Sequence, residues 1–245
     1  MSRFFTSPEN VGEKSIRITD QNDIHHISKV LRLKIGDKID ISDSNKWEYE
    51  TEIAYLDKDY VEAIILDRQK FANEPKSKVT LFQGVPKQGK MELIIQKTVE
   101  LGVYEIVPVF TDRTVVTDNG KFSKKIERWQ KISDEAVKQC KRGIIPTVAD
   151  DITFKEMMEQ LKGFDLVLFP YENEENRTIK DALKGRKDIP ETIAIIIGPE
   201  GGFSDKEALS LKDFGAECVT LGKTTLRTET AGMVALAMTM YEFEL

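Results

Sequence analysis

The sequence predicts an α/β protein with a mainly parallel sheet, preceded by a smaller β-rich domain. Three observations carry this. From Val79 onward, short β-branched runs alternate with longer segments of helical period, the pattern of a parallel sheet with crossover helices. Before that point apolar and polar residues alternate one by one, as in short antiparallel strands. Between the two lies a polar, Pro-containing stretch, Phe71 to Ser77, which puts the domain boundary between residues 1–72 and 73–245.

In the first domain, Gly36-Asp37 precedes the run Lys38 to Ile41. Trp47 to Tyr55 and Tyr60 to Leu66 alternate about an Asp57-Lys58-Asp59 turn. One helical segment, Ile24 to Leu33, puts Ile24, Ile27, Val30 and Leu31 on an apolar face and leaves His26, Lys29 and Arg32 off it. In the second domain, strand Val79 to Gln83 leads through Gly84–Lys90 into helix Met91 to Leu101, closed by Gly102 at the C′ position. Strand Tyr104 to Phe110 and a basic helix, Ser123 to Cys140, follow. Next come helix Thr153 to Leu161, strand Leu166 to Phe169, loop Pro170 to Asn176, helix Thr178 to Leu183 and strand Ile193 to Ile197. Ser204 and Glu207 stand at capping-box spacing. After strand Val219 to Leu221, the last helix, Ala231 to Phe243, is apolar nearly all round, which implies burial in the core or at a subunit interface.

Composition narrows the function classes. No run approaches the roughly 20 apolar residues of a membrane span, and Met1 to Thr6 is short and polar for a signal peptide, so a cytoplasmic protein is expected. Cys140 and Cys218 are far apart, and His25 and His26 are the only histidines. This excludes a disulfide framework, a zinc cluster and a Ser-His hydrolase, and no metal is expected. The net charge of −6 conceals a basic middle: residues 74–142 carry 14 Lys and Arg against 9 Asp and Glu, enough to steer a phosphate backbone.

Gly84–Lys90 has the GxxxxGK spacing of a phosphate-binding loop. Met91, however, stands where Mg²⁺ needs Ser or Thr, and Pro86 removes an amide, so the stretch reads as an ordinary turn with two exposed lysines. No GxGxxG follows a strand, which argues against dinucleotide binding. Three other loops, Pro170–Asn176, Gly198–Gly202 and Gly222–Arg227, each follow an expected strand. Side by side at the carboxyl end of a sheet they form a ligand site. Glu200, Arg227, Thr228, Glu229 and Thr230 recur at the same end.

The stretches 197–207, 221–231, 87–103 with Ile106–Val109, 127–146 and 25–37 together resemble one family. It is the bacterial small-subunit ribosomal RNA uridine-N3 methyltransferases, the E-type rRNA methyltransferases of the SPOUT superfamily. The resemblance runs from Arg3 to the C-terminus. It implies an N-terminal PUA-like β-barrel, a C-terminal α/β domain with a deep trefoil knot, S-adenosyl-L-methionine as methyl donor, and a homodimer formed through the C-terminal domain. The implied substrate is a uridine of small-subunit (16S) rRNA, naked or in the assembled small ribosomal subunit.

Mapped by motif, the cofactor residues are Leu168, Pro170 and Glu172; Ile197, Gly198, Pro199, Glu200, Gly201 and Gly202; and Leu221, Gly222, Thr225, Leu226 and Arg227. Thr224-Thr225 departs from the family's usual Arg-Ile. For catalysis the candidates are Arg227, to stabilise oxyanions on the uridine, and Glu229 or Glu200, to orient the base or accept its N3 proton. For RNA they are Arg3, Lys29 and Arg32 in the first domain and Lys87, Arg113, Arg128 and Arg142 in the second. The rival readings are a related enzyme acting on another RNA and a non-catalytic RNA-binding assembly factor.

Overall fold

The alternating residues at the start of the chain form a five-stranded sheet: β1 (Arg3–Phe5), β2 (Ser15–Ile18), β3 (Lys38–Ser42), β4 (Trp47–Leu56) and β5 (Val61–Lys70), in the order β1-β3-β4-β5-β2. β1 joins β3 in parallel and the other pairs are antiparallel. One face of the alternation packs inward: Phe4, Ile16, Ile18, Ile39, Ile41, Ile53 and Val61 form a core with Ile24 and Ile27. The structure is a computed structural model describing residues 2–45, 47–70, 74–117, 122–140, 142–186 and 188–244. Residues 72 and 73, where the sequence puts the boundary, lie outside the described residues, as does Lys141.

The helix expected in this sheet domain differs in extent from expectation. Helix α1 (Gln21–His25) starts earlier, because the Asp20 carboxylate accepts the amides of Asn22 and Asp23. It then widens into a π turn, His26–Val30, in which the Leu31 amide reaches back to His26 O at 2.8 Å. The wider turn shifts the phase of the apolar stripe, so Val30 is 59% exposed rather than buried. Arg32, at φ 54°, ends the segment.

Two compact units divide the chain: Met1–Glu74 with Val137–Ile145, and Pro75–Ala136 with Pro146–Leu245. The strip Val137–Ile145 is pinned within the first unit by buried polar contacts. Glu74 Oε1 accepts the amides of Gly143 (2.7 Å) and Ile144 (3.1 Å), while its Oε2 takes Arg142 Nη2 at 2.8 Å. Ser42 Oγ donates to Gly143 O at 2.6 Å. Lys138 pairs with the buried Asp23.

The second unit carries the parallel sheet: β6 (Lys78–Gly84), β7 (Glu105–Phe110), β8 (Thr147–Val148), β9 (Ile152–Thr153), β10 (Leu166–Pro170), β11 (Thr192–Ile197) and β12 (Glu217–Val219). The order is β12-β10-β11-β6-β7-β8, with β9 also on β7, and these pairings are parallel. Its helices are α2 (Lys90–Glu100), α3 (Phe122–Cys140, in this unit up to Ala136), α4 (Phe154–Gln160), α5 (Ile179–Leu183), α6 (Asp205–Phe214) and α7 (Thr228–Glu244). One core joins Phe82, Val107, Phe169, Ala194 and Ile196 of the sheet to Met157 of α4 and Leu211 of α6. Helix α7 packs on β11, β6, α2 and α5. Its buried residues Gly232, Ala235, Leu236 and Thr239 form one stripe, whereas Met238 and Tyr241 are exposed, so the burial all round that its composition implies is not met within this chain.

Candidate active site

Because the strands run parallel, the loops after β12, β10, β11, β6 and β7 all leave one edge of the sheet. The order β12-β10-β11 makes the three candidate loops neighbours. β6, the first strand of the sheet, stands between β11 and β7, so the chain builds outward from it in both directions. Ligands of open α/β sheets bind at such an edge.

The loops also touch. Gly202 takes φ +65°, which an L side chain adopts only with strain, and a methyl group on it would lie 2.5 Å from Glu172 Oε1 in the loop after β10. Its amide closes a turn onto Pro199 O at 2.9 Å. The Thr228 hydroxyl, at the start of α7, donates to Gly198 O (2.6 Å) and accepts from the buried amide of Gln83 at 2.9 Å. At Gly84 a methyl group would stand 2.5 Å from both the nitrogen and Cδ of Pro199, so strand β6 meets the glycine loop backbone to backbone.

Charge gathers at the same place. Lys90 Nζ lies 2.9 Å from Glu200 Oε1 and 3.2 Å from Glu229 Oε2. The second contact is ionic, because Glu229 Oε2 lacks hydrogen-bond geometry with any partner. The Lys87 amide donates to both Glu200 oxygens, at 3.1 and 3.2 Å. Partial burial works against ionisation of Glu200, but Lys90 and the main-chain amides outweigh it and hold the carboxyl below the ordinary glutamate value. For Glu229 its own amide does this first, against burial, with Lys90 and Arg227 adding to it. Glu200 raises Lys90 in turn. Folded carboxyl values below the unfolded one stabilise above about pH 4.3 and lose that contribution as pH falls through the folded values. A lysine raised above about 10.4 keeps its contribution until pH passes the folded value. The triad is therefore fully charged across the neutral range.

Helix α6 ties in the loop after β7. Ser204 and Glu207 form the capping box their spacing predicts. Glu207, buried, also accepts the Asp112 amide at 2.9 Å, and Ser204 Oγ donates to Asp112 Oδ2 at 2.7 Å. Arg113 Nη1 donates to Gly201 O at 3.1 Å. No group of metal-ligating side chains occurs among the described residues.

Comparison with known proteins agrees with this arrangement. Residues 73–240 match the family model of the RNA methyltransferase domain, and residues 18–66 match that of the RNA methyltransferase PUA domain. The ribosomal RNA small subunit methyltransferase E of Bacillus subtilis is 32% identical over 251 residues, covering 100% of this chain and 98% of the relative. The chain belongs to the E-type rRNA methyltransferase family. The Mesomycoplasma hyopneumoniae member is 34% identical over 96% of this chain and 97% of its own. The Neisseria gonorrhoeae member, solved bound to S-adenosyl methionine, superposes with a TM-score of 0.85 at 30% identity, over 98% of this chain and 97% of that one.

Within this E-type chain, the residues mapped to the cofactor fall into two sets. Leu168, Ile197 and Pro199 are buried. Pro170, Gly198, Gly202, Leu221 and Leu226 are half-buried, while Glu172, Glu200, Gly201, Gly222, Thr225 and Arg227 are exposed at the edge. Gly222, at φ +148°, faces open space where a Cβ would be. Thr224 is exposed.

Of the residues assigned to RNA, Lys29, Arg32 and Lys87 are exposed, and Arg128 is exposed beside Glu92. Arg113 is exposed but engaged at Gly201. Two assignments are corrected. The Arg142 side chain is only 6% exposed and held by Glu74, and Arg3 is nearly as buried against Glu48 (3.1 Å). Each is spent on a carboxylate inside the first unit. The Gly84–Lys90 reading is corrected too: it is no ordinary turn, because Gly84 and Lys90 both contact the glycine loop. Gln83, Gly84, Lys90 and Asp112 were not singled out from sequence as site residues. Only Gly84 and Lys90 carry a signal in the sequence, the GxxxxGK spacing they share.

Proposed function

We propose that this chain methylates N3 of a uridine in small-subunit (16S) ribosomal RNA, with S-adenosyl-L-methionine as donor. The observation that carries the reading is the fusion of the three loops at one sheet edge, through Thr228 to Gly198 and Gly202 against Glu172, in a chain of the E-type family. The donor set fits that cofactor. Main-chain amides and carbonyls around Gly198–Gly202 and Leu221–Arg227, with open space at Gly222, suit an uncharged base and an amino acid moiety, and the exposed Glu172 suits a cation.

Bound there, S-adenosyl-L-methionine supplies a sulfonium methyl group open to in-line attack. The chain's residues hold the partners and manage charge. Arg227, exposed immediately before α7, neutralises the charge that grows on the uridine oxygens as the N3 proton leaves. Glu200 and Glu229 are tied to Lys90 and remain ionised, so they position the loops and the base. A base for the N3 proton works best with a pKa near the working pH, which neither has.

The same reading gives the two sheets their family topology, a closed PUA-like barrel and a deep trefoil knot through the three loops. It also gives a homodimer through the second unit, supported by exposed Met238 and Tyr241 on α7 and Leu93 on α2. Sedimentation should then return twice the chain mass of 27.9 kDa. Work on ribosomal RNA places the protein in the cytoplasm, and no described helix is long and apolar enough to cross a membrane. For RNA, Lys29 and Arg32 remain the leading contacts of the first unit. Arg32→Ala should weaken rRNA binding and reduce its salt slope by about 1 while leaving cofactor affinity intact; an unchanged slope removes Arg32 from the footprint. The decisive experiment is nucleoside mass mapping of small-subunit rRNA with and without the gene. Loss of one N3-methyluridine is expected, and an unaltered modification pattern overturns the reading.

A further inference from the structure

We propose that the Gly84–Lys90 loop is an anion clamp occupied by the protein's own Glu200 carboxylate, and that Lys90 is thereby a positioning residue for the Gly198–Gly202 loop and the start of α7. The proposal rests on the reading of these loops as the methyl-donor site. A loop of this spacing before a helix offers an anion main-chain amides, a lysine ammonium and the positive end of the helix. Glu200 takes the first two. The Lys87 amide donates to both carboxylate oxygens, and Nζ of Lys90, the first residue of α2, stands 2.9 Å away. The Pro86 and Met91 replacements that spoil the loop for a nucleotide and Mg²⁺ leave this internal use untouched.

A cation at the first position of a helix is unfavourable against the helix dipole. Two carboxylates from elsewhere in the chain offset that at Lys90: Glu200 from the loop after β11 and Glu229 from the first turn of α7. Removing the ammonium leaves the two carboxylates facing each other. The loop and α7 already share one tie, the Thr228 hydroxyl on Gly198 O. Lys90 adds a second and fixes both to the start of α2. The cofactor edge is thus set before any ligand arrives.

The test is hydrogen exchange on the full-length protein without ligand, followed by titration with S-adenosyl-L-methionine. The probes are the amides of Lys87, bonded to Glu200, and Gly202, bonded to Pro199 O. In Lys90→Met both should exchange about fivefold faster, as expected for loss of a partly exposed ionic network, while amides of α5 keep their rates. Lys90→Arg should restore protection. Glu200→Gln, which preserves shape, should lose it and add little when combined with Lys90→Met. Cofactor affinity should fall in step with protection, while the salt slope of rRNA binding stays at the wild-type value. Wild-type exchange in Lys90→Met, equal loss in the Met and Arg variants, or a lowered rRNA salt slope with normal exchange would each overturn the proposal, the last making Lys90 a phosphate contact. A wild-type protein that shows the exchange pattern yet does not bind S-adenosyl-L-methionine would instead overturn the methyl-donor reading and leave the clamp standing.

Discussion

Gly84→Ala is expected to abolish measurable binding of S-adenosyl-L-methionine and to destabilise the second unit by about 1–3 kcal/mol, the range for overpacking a tight interior. The added methyl group would meet Pro199 N and Cδ at 2.5 Å and Gly198 C at 2.9 Å, all rigid main-chain or ring atoms. Neither side can yield easily. β6 and β11 are hydrogen-bonded in register up to the Gln83–Ile197 pair, immediately before the contact, so separating them at Gly84 breaks the ladder that aligns the cofactor loop. Calorimetric titration and a thermal melt measure the two effects, and roughly 2–4 °C of lost Tm per kcal/mol is expected at this chain length. Wild-type affinity in a folded Gly84→Ala protein would show that the contact does not set the loop.

Glu74→Ala should cost more stability, about 3–5 kcal/mol, because it breaks a buried ion pair from one side. The variant takes the carboxylate away from a guanidinium that is 6% exposed and from the amides of Gly143 and Ile144 together. Arg142→Met should cost less, because the carboxylate keeps both amide donors and the methionine fills part of the space. Urea unfolding of the three proteins gives the order wild type, Arg142→Met, Glu74→Ala. A reversed order, or equal losses, would mean that the guanidinium rather than the carboxylate anchors the strip.

Much of the second unit is legible in sequence because its signals are local. The Ser204–Glu207 box depends on three-residue spacing, and the helix after it forms as that spacing predicts. The Gly198–Gly202 loop announces itself by following the β-branched run Ile193–Ile197, and the parallel sheet follows from the alternation of strands and helices. Partnership over long distance is what stays hidden. Nothing near Gly84 tells that Pro199 will lie on it, and Lys87 finds Glu200 at a separation of 113 residues. The loop therefore read as a failed nucleotide motif, when its anion is carried by the same chain. Arg3 and Arg142 looked like free cations for the same reason, since their carboxylates, Glu48 and Glu74, are brought by the fold. Strands β1 and β2, of three and four residues, are too short for alternation to reveal, and a π turn in place of the expected helix moved Val30 off the apolar stripe.

The return of Val137–Ile145 to the first unit bears on how such a protein can be inherited and reshuffled. A module that is one continuous piece of gene can be moved by a single recombination at its edge. Here the joints fall at Glu74/Pro75, Ala136/Val137 and Ile145/Pro146, and an exchange at the first alone would deliver the five strands without the strip whose amides Glu74 holds. The PUA-bearing unit and the methyltransferase unit are therefore interleaved along the chain, and no single exchange at one joint transfers either unit whole.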